Sequence, residues 1–168
     1  LFWFSTAQGL IRETGIAEAR SILGEWTVAS VSPYIGSYAV GVTAAGDSIY
    51  IANSGAELPL GCRFMRYNTS TGGWDDLKMP VFGFRNAIAM AWDKGNYIYV
   101  LPGASYSEVE GEGIFLFYHY DITANTWTKL NNTPHTNGAG DALCFVPGQV
   151  LNVSGDNFLY AILGSNSG

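Results

Sequence analysis

Three carboxylates alternate with an apolar and a small residue in Glu108-Val109-Glu110-Gly111-Glu112. In an extended segment that spacing puts all three on one side, where they would attract Ca²⁺ or a basic partner. No Asp-x-Asp-x-Asp-Gly register accompanies them, which favours a solvated acidic loop over a metal site. His119 and His135 are the chain's only histidines. The first falls on a predicted strand and the second in a loop, so a metal centre would need a third ligand from elsewhere. Cys62 and Cys144 lack Cys-x-x-Cys spacing and are expected to be buried free thiols. Gly-x-Ser-x-Gly, His-Glu-x-x-His and Gly-Lys-Ser/Thr motifs are absent from the sequence. The expectation is a non-enzyme without catalytic residues, cofactor or metal.

Binding chemistry rests on other side chains. Phe82, Phe84 and Tyr106 lie on predicted loops of one face, together with Glu108, Glu110 and Glu112. Their rings could stack on sugars or pack on a protein, and packing between structural units competes with that role. Three Asn-x-Ser/Thr tripeptides begin at Asn68, Asn131 and Asn152, candidate glycosylation sites if the chain is secreted. Eight Lys+Arg against 14 Asp+Glu give a net charge of −6. So acidic a surface repels phosphate backbones, which excludes nucleic acid as a partner. No apolar run approaches the roughly 18 residues of a membrane-spanning helix.

The elements that must position these residues emerge from a repeat. Gly46-Asp-Ser-Ile-Tyr-Ile51, Gly95-Asn-Tyr-Ile-Tyr-Val100 and Gly155-Asp-Asn-Phe-Leu-Tyr160 share one pattern. A second pattern follows the first two: Arg63-Phe-Met-Arg-Tyr-Asn68 leads to Trp74, and Leu116-Phe-Tyr-His-Tyr-Asp121 to Trp127. Tyr67 precedes Trp74 by seven positions, and Tyr120 precedes Trp127 by the same interval. Each unit therefore reads as four strands, A to D. The first has strands near 38–45, 49–53, 63–68 and 73–78; the second near 86–92, 97–101, 114–121 and 126–130. Period-2 alternation in Ile98-Tyr99-Val100, and turn residues in Asn68-Thr-Ser-Thr-Gly-Gly73 and Asp121-Ile-Thr-Ala-Asn125, support the assignment. With 21 glycines and 14% aromatic residues, the composition suits an all-β chain. Four-stranded units of about 50 residues point to propeller blades.

The units resemble kelch-type β-propeller repeats of bacterial and archaeal surface proteins, on Gly95 to Tyr99, Tyr118 to Asp121, Asn125-Thr126-Trp127 and Gly138-Ala139-Gly140. The resemblance covers roughly residues 24–168. It departs from the family at the glycine pair after strand B, where Ser54-Gly55, Pro102-Gly103 and Gly164-Ser165 stand. It implies a kelch-like propeller segment of four-stranded antiparallel blades in an incomplete ring. The copper-oxidase branch of that family uses a Tyr and His ligand set with a thioether-forming Cys, which Cys62, His119 and His135 do not match.

The organisation expected is a half-blade (1–35, strands C and D), full blades over 36–82 and 83–135, and a half-blade (136–168, strands A and B). In the first, Leu1 to Ser5 is strand C and Gly24 to Val28 strand D, with a short helix expected within Leu10 to Leu23. Leu1 is not an initiator methionine, so either a leader has been removed or the chain is a piece of a longer one. The function expected is a non-catalytic structural or adhesive module, extracellular or on a cell or virion surface. Its partners are protein: further blades, or copies of itself whose strands complete the open sheets. The alternative is a discrete carbohydrate- or protein-binding propeller domain. Trp74 and Trp127 are expected to be packing residues whose loss lowers stability.

Overall fold

The computed structural model describes the backbone of residues 4–6, 9–11, 15–19, 26–31 and 39. It describes residues 40–54, 62–81, 83–84, 87–103, 115–135, 137–138, 140–148 and 157–164 in full. The first two four-stranded elements begin with β5 (Ala39–Ala45), β6 (Ser48–Ser54), β7 (Arg63–Asn68) and β8 (Trp74–Asp76), a sheet in chain order. A second sheet, also in chain order, contains β9 (Ala89–Trp92), β10 (Tyr97–Leu101), β11 (Tyr118–Asp121) and β12 (Thr126–Lys129). A third holds only β13 (Ala142–Val146) and β14 (Phe158–Ile162). All of these pairings are antiparallel. Among the described residues there is no α-helix and no closed barrel.

The first-to-second and third-to-fourth connections are short, and their turn residues explain them. Gly46 (φ 61°) and Lys94 (φ 64°) turn the chain between the first two strands of each complete sheet. Between the third and fourth strands the left-handed position is Gly72 (φ 72°) in one sheet and Asn125 (φ 51°) in the other. Each lies two residues before its tryptophan, and glycine and asparagine are the residues that tolerate that conformation best. The third-to-fourth turn also docks on the first-to-second turn of its own sheet. Thr69 donates from N and Oγ1 to Asp47 O (2.9 and 2.7 Å), and Ile122 N donates to Asn96 O (2.9 Å). Asp47 and Asn96 are the same position of the repeat, so both sheets are pinned in one way.

Alternation along the strands decides what lies between the sheets. Tyr50, Ala52 and Phe64 of the first sheet meet Met90, Ile98, Val100 and Tyr120 of the second in one buried cluster. At about 25 cal/mol per Å² of apolar area buried, such aromatic and branched side chains dominate the stability of a sheet pair. The first strands lie side by side: β5 beside β9, and β9 beside β13. At the closest point Gly41 of β5 meets Ile88, and a Cβ at Gly41 would sit 2.6 Å from Ile88 Cγ2.

The N-terminal region departs from expectation. In place of a helix within 10–23 there are strands β2 (Gly9–Ile11) and β3 (Gly15–Ala19), following β1 (Phe4–Thr6). β1 pairs with β2, and β3 with β4 (Trp26–Val31), so the 24–28 region takes its partner from 15–19 and not from 1–5. Gly15 inside the expected helix costs about 1 kcal/mol relative to Ala, and Val28 and Val31 supply a β-favouring partner strand. A β-bulge between Ile16 and Ala17 absorbs the mismatch in register.

Candidate functional site

Two surfaces of the second sheet are chemically alike and structurally unequal. One faces the first sheet and is closed. There Phe64 packs edge-on against Tyr120 (centroids 4.8 Å) and Trp127 (4.9 Å), and Phe84 packs against Phe64 (6.0 Å) and Trp127 (5.8 Å). Polar groups lock this interface from its outer side. Trp127 Nε1 donates to Lys78 O (2.7 Å) while Lys78 N donates to Asn125 Oδ1 (3.0 Å), so two side chains of the second sheet hold one backbone residue that follows the first. Tyr120 Oη donates to the same Asn125 Oδ1 (2.8 Å). Burial pushes the Tyr120 phenol up to about 12, with the nearby Tyr50 adding to the effect.

The other surface of the second sheet carries Tyr97, Tyr99, Phe117 and His119. Tyr97 stacks on His119 (4.5 Å, 10° between planes) and Tyr99 on Phe117 (5.8 Å, 24°). All four are partly exposed. By the repeat, Tyr99 and Phe117 occupy the positions of Tyr50 and Phe64, whose rings lie 6.2 Å apart and are buried. Partial desolvation raises the Tyr99 phenol above its ordinary value.

Beyond that face stands the third sheet, which among the described residues has two strands. Among the described residues β14 pairs with β13 alone, and Tyr160 and Ile162 are 52% and 70% exposed. Asp141, just before β13, accepts from Gly138 N (3.0 Å) and Gly164 N (2.8 Å) through Oδ1. Among the described residues its Oδ2 is buried without a partner, and desolvation raises this carboxyl despite the two bonds that oppose the shift. At the opposite end of the arc Val40 and Val42 of β5 are 43% and 53% exposed.

The residues singled out from the sequence fare unequally. Phe84 is fully buried between the first two sheets, the packing role that competes with binding in the sequence reading. Phe82, Tyr106, Glu108, Glu110, Glu112 and Asn152 lie outside the described residues. Asn68 uses Oδ1 to accept from Ser70 N (2.9 Å) and Thr71 N (3.0 Å), a turn-capping role, and Asn131 is exposed. Cys62 is a buried thiol that donates to Phe84 O (3.3 Å), whereas Cys144 is exposed, contrary to expectation, because it lies in the third sheet. His135 is exposed in its loop, and among the described residues no three of His, Cys, Asp and Glu converge as metal ligands would. The two strands of the third sheet were expected from the sequence as a half-blade with an open sheet; Tyr99 and Phe117 were not singled out. Their signal was present as the repetition of Tyr50 and Phe64 in Tyr99 and Phe117.

No family model and no curated protein matches the chain. Solved structures do resemble it. One, titled "Structure of YjhT", is 19% identical with a TM-score of 0.50, covering 66% of this chain and 31% of that one. At that identity the likeness concerns the fold alone. The chain spans about a third of that structure's length.

Proposed function

We propose that the chain is a segment of a kelch-like propeller that serves as a non-catalytic structural or adhesive module in an extracellular or particle-surface assembly. The single observation that carries this reading is the succession of sheets. Two four-stranded antiparallel sheets in chain order are followed by a two-stranded one, with their first strands side by side. Radial repetition of such sheets, with their first strands side by side, is how propellers limit their exposed edges. A discrete carbohydrate-binding domain is the weaker reading, since Phe84, one of the three aromatic residues it would use, is buried.

Surface biotinylation of intact cells or particles carrying the protein tests the reading. Labelling to the extent of a known surface marker is expected. Labelling only after lysis overturns it.

A further inference from the structure

We propose that Asn131, and not Asn68, accepts an N-linked glycan when the chain is exported. The inference rests on the extracellular or particle-surface reading above and names a covalent modification of that surface.

Two Asn-x-Ser/Thr tripeptides fall within the described residues, Asn68-Thr69-Ser70 and Asn131-Asn132-Thr133. A glycan is a bulky, solvated group, so the folded chain must leave room for it on the asparagine amide nitrogen. At Asn68 the amide is taken up by the turn. Its side chain is half-buried, and Oδ1 accepts from Ser70 N (2.9 Å) and Thr71 N (3.0 Å), which fixes the plane of the amide. The rest of the tripeptide is folded onto Asp47. Thr69 Oγ1 donates to Asp47 O (2.7 Å), and Ser70 Oγ donates to Asp47 Oδ2 (3.4 Å).

Asn131 is presented differently. Leu130 N donates to Phe117 O (2.8 Å) and Thr133 N to Phe115 O (3.0 Å). Between those two bonds lie Asn131 and Asn132 on one side and Leu116 alone on the other, the two-against-one count of a β-bulge. The Leu116 carbonyl opposite them accepts from Nδ2 of the buried Asn137 (2.6 Å). Asn137 Oδ1 in turn accepts from Thr133 Oγ1 (3.1 Å), which also donates to His135 O (2.8 Å). The backbone around the bulge is thus held on both flanks, while Asn131 and Asn132 are both exposed.

The position also spares the packing. Asn131 follows β12, which among the described residues is the outermost strand of the second sheet, at the edge opposite the side-by-side first strands. A glycan there stands outside the contact between the first two sheets. In the transfer, Asn131 Nδ2 attacks the anomeric carbon of a lipid-phosphate-linked oligosaccharide supplied with its transferase by the exporting cell. The N–C bond forms as the C–O bond to phosphate breaks. The phosphate leaves with the bonding pair, and Nδ2 gives up one proton.

Secretion of the full chain from cultured eukaryotic cells behind a cleavable leader tests the proposal. Asn131→Gln should remove one step of the mobility shift that peptide:N-glycosidase reverses, with an unchanged melting temperature because the position is exposed. Asn68→Gln should remove none. Peptide mapping of the secreted wild type needs no variant: glycosidase release should convert the asparagine at 131 to aspartate and leave that at 68 unconverted. An unmodified Asn131 in secreted protein, a step lost with Asn68→Gln, or conversion at 68 would each overturn the proposal. An unmodified Asn131 beside surface labelling of the native protein overturns this inference alone. Labelling only after lysis overturns the surface reading whatever the glycan test shows.

Discussion

The pairs Tyr50–Phe64 and Tyr99–Phe117 come from the same two positions of the repeat and have nearly the same ring separation, 6.2 and 5.8 Å. The first is buried, 2% and 0% exposed, and the second is partly open. Nothing in the local chemistry of the pairs separates them. What differs is the next sheet: the first pair meets a Tyr and a Trp from third and fourth strands, whereas beyond the second pair the described residues form two strands. A repeated sequence thus yields equal strands and unequal surfaces.

The largest expected effects set these two regions against each other. Phe64→Ala should cost about 3–5 kcal/mol in urea unfolding, because it empties a site enclosed by Tyr50, Phe84, Tyr120 and Trp127. Phe117→Ala should cost the monomer less than about 2 kcal/mol, since its ring is already partly hydrated. Equal losses would show that the second face is closed as well.

Next come the tryptophans. Trp127→Ala should cost about 3 kcal/mol, and Trp127→Phe about 1 kcal/mol for the lost hydrogen bond to Lys78 O. Trp74→Ala, at the same repeat position but packed on Tyr67 (5.1 Å), should cost about 1–2 kcal/mol. A Trp74 loss as large as that of Trp127 would mean that a preceding sheet clamps Trp74 equally.

Gly41→Ala probes the approach of the first strands. The added methyl would meet Ile88 at 2.6 Å, so a loss of about 1–3 kcal/mol is expected, and an Ile88→Val background should recover part of it. A neutral Gly41→Ala would show that β5 and β9 can separate freely.

The smallest effect is read from pH. Tyr120 is held at about 12 in the folded chain against 10.0 unperturbed, so the folded state keeps a proton that the unfolded state releases first. Stability from this group is intact below pH 10 and is lost as pH rises toward 12. Tyr120→Phe should flatten the decline measured by unfolding across that window; an unchanged slope would place its origin in other groups.

Strand positions were legible because their determinants are local. Alternation in Ile98-Tyr99-Val100, the glycines at 46 and 72, and the equal intervals from Tyr67 to Trp74 and Tyr120 to Trp127 mark both four-stranded units. β7 and β10 coincide with the segments read from sequence, 63–68 and 97–101. The helix expected within 10–23 failed because apolar spacing in so short a stretch fits a helix or a strand equally, and pairing with β4 decided between them. Phe84 was left open between packing and binding for a related reason: an aromatic residue on a loop is exposed or buried according to what the loop crosses.

By itself, then, the sequence determined the all-β class, the period of the repeat and the turn positions, since backbone conformation and side-chain alternation act over a few residues. Only the tertiary structure decided which pairs of equivalent aromatic residues are covered, and that Asn125 and Trp127 hold the backbone of Lys78. Those outcomes depend on which surface arrives opposite another across tens of residues, and burial free energy is realised only when it does.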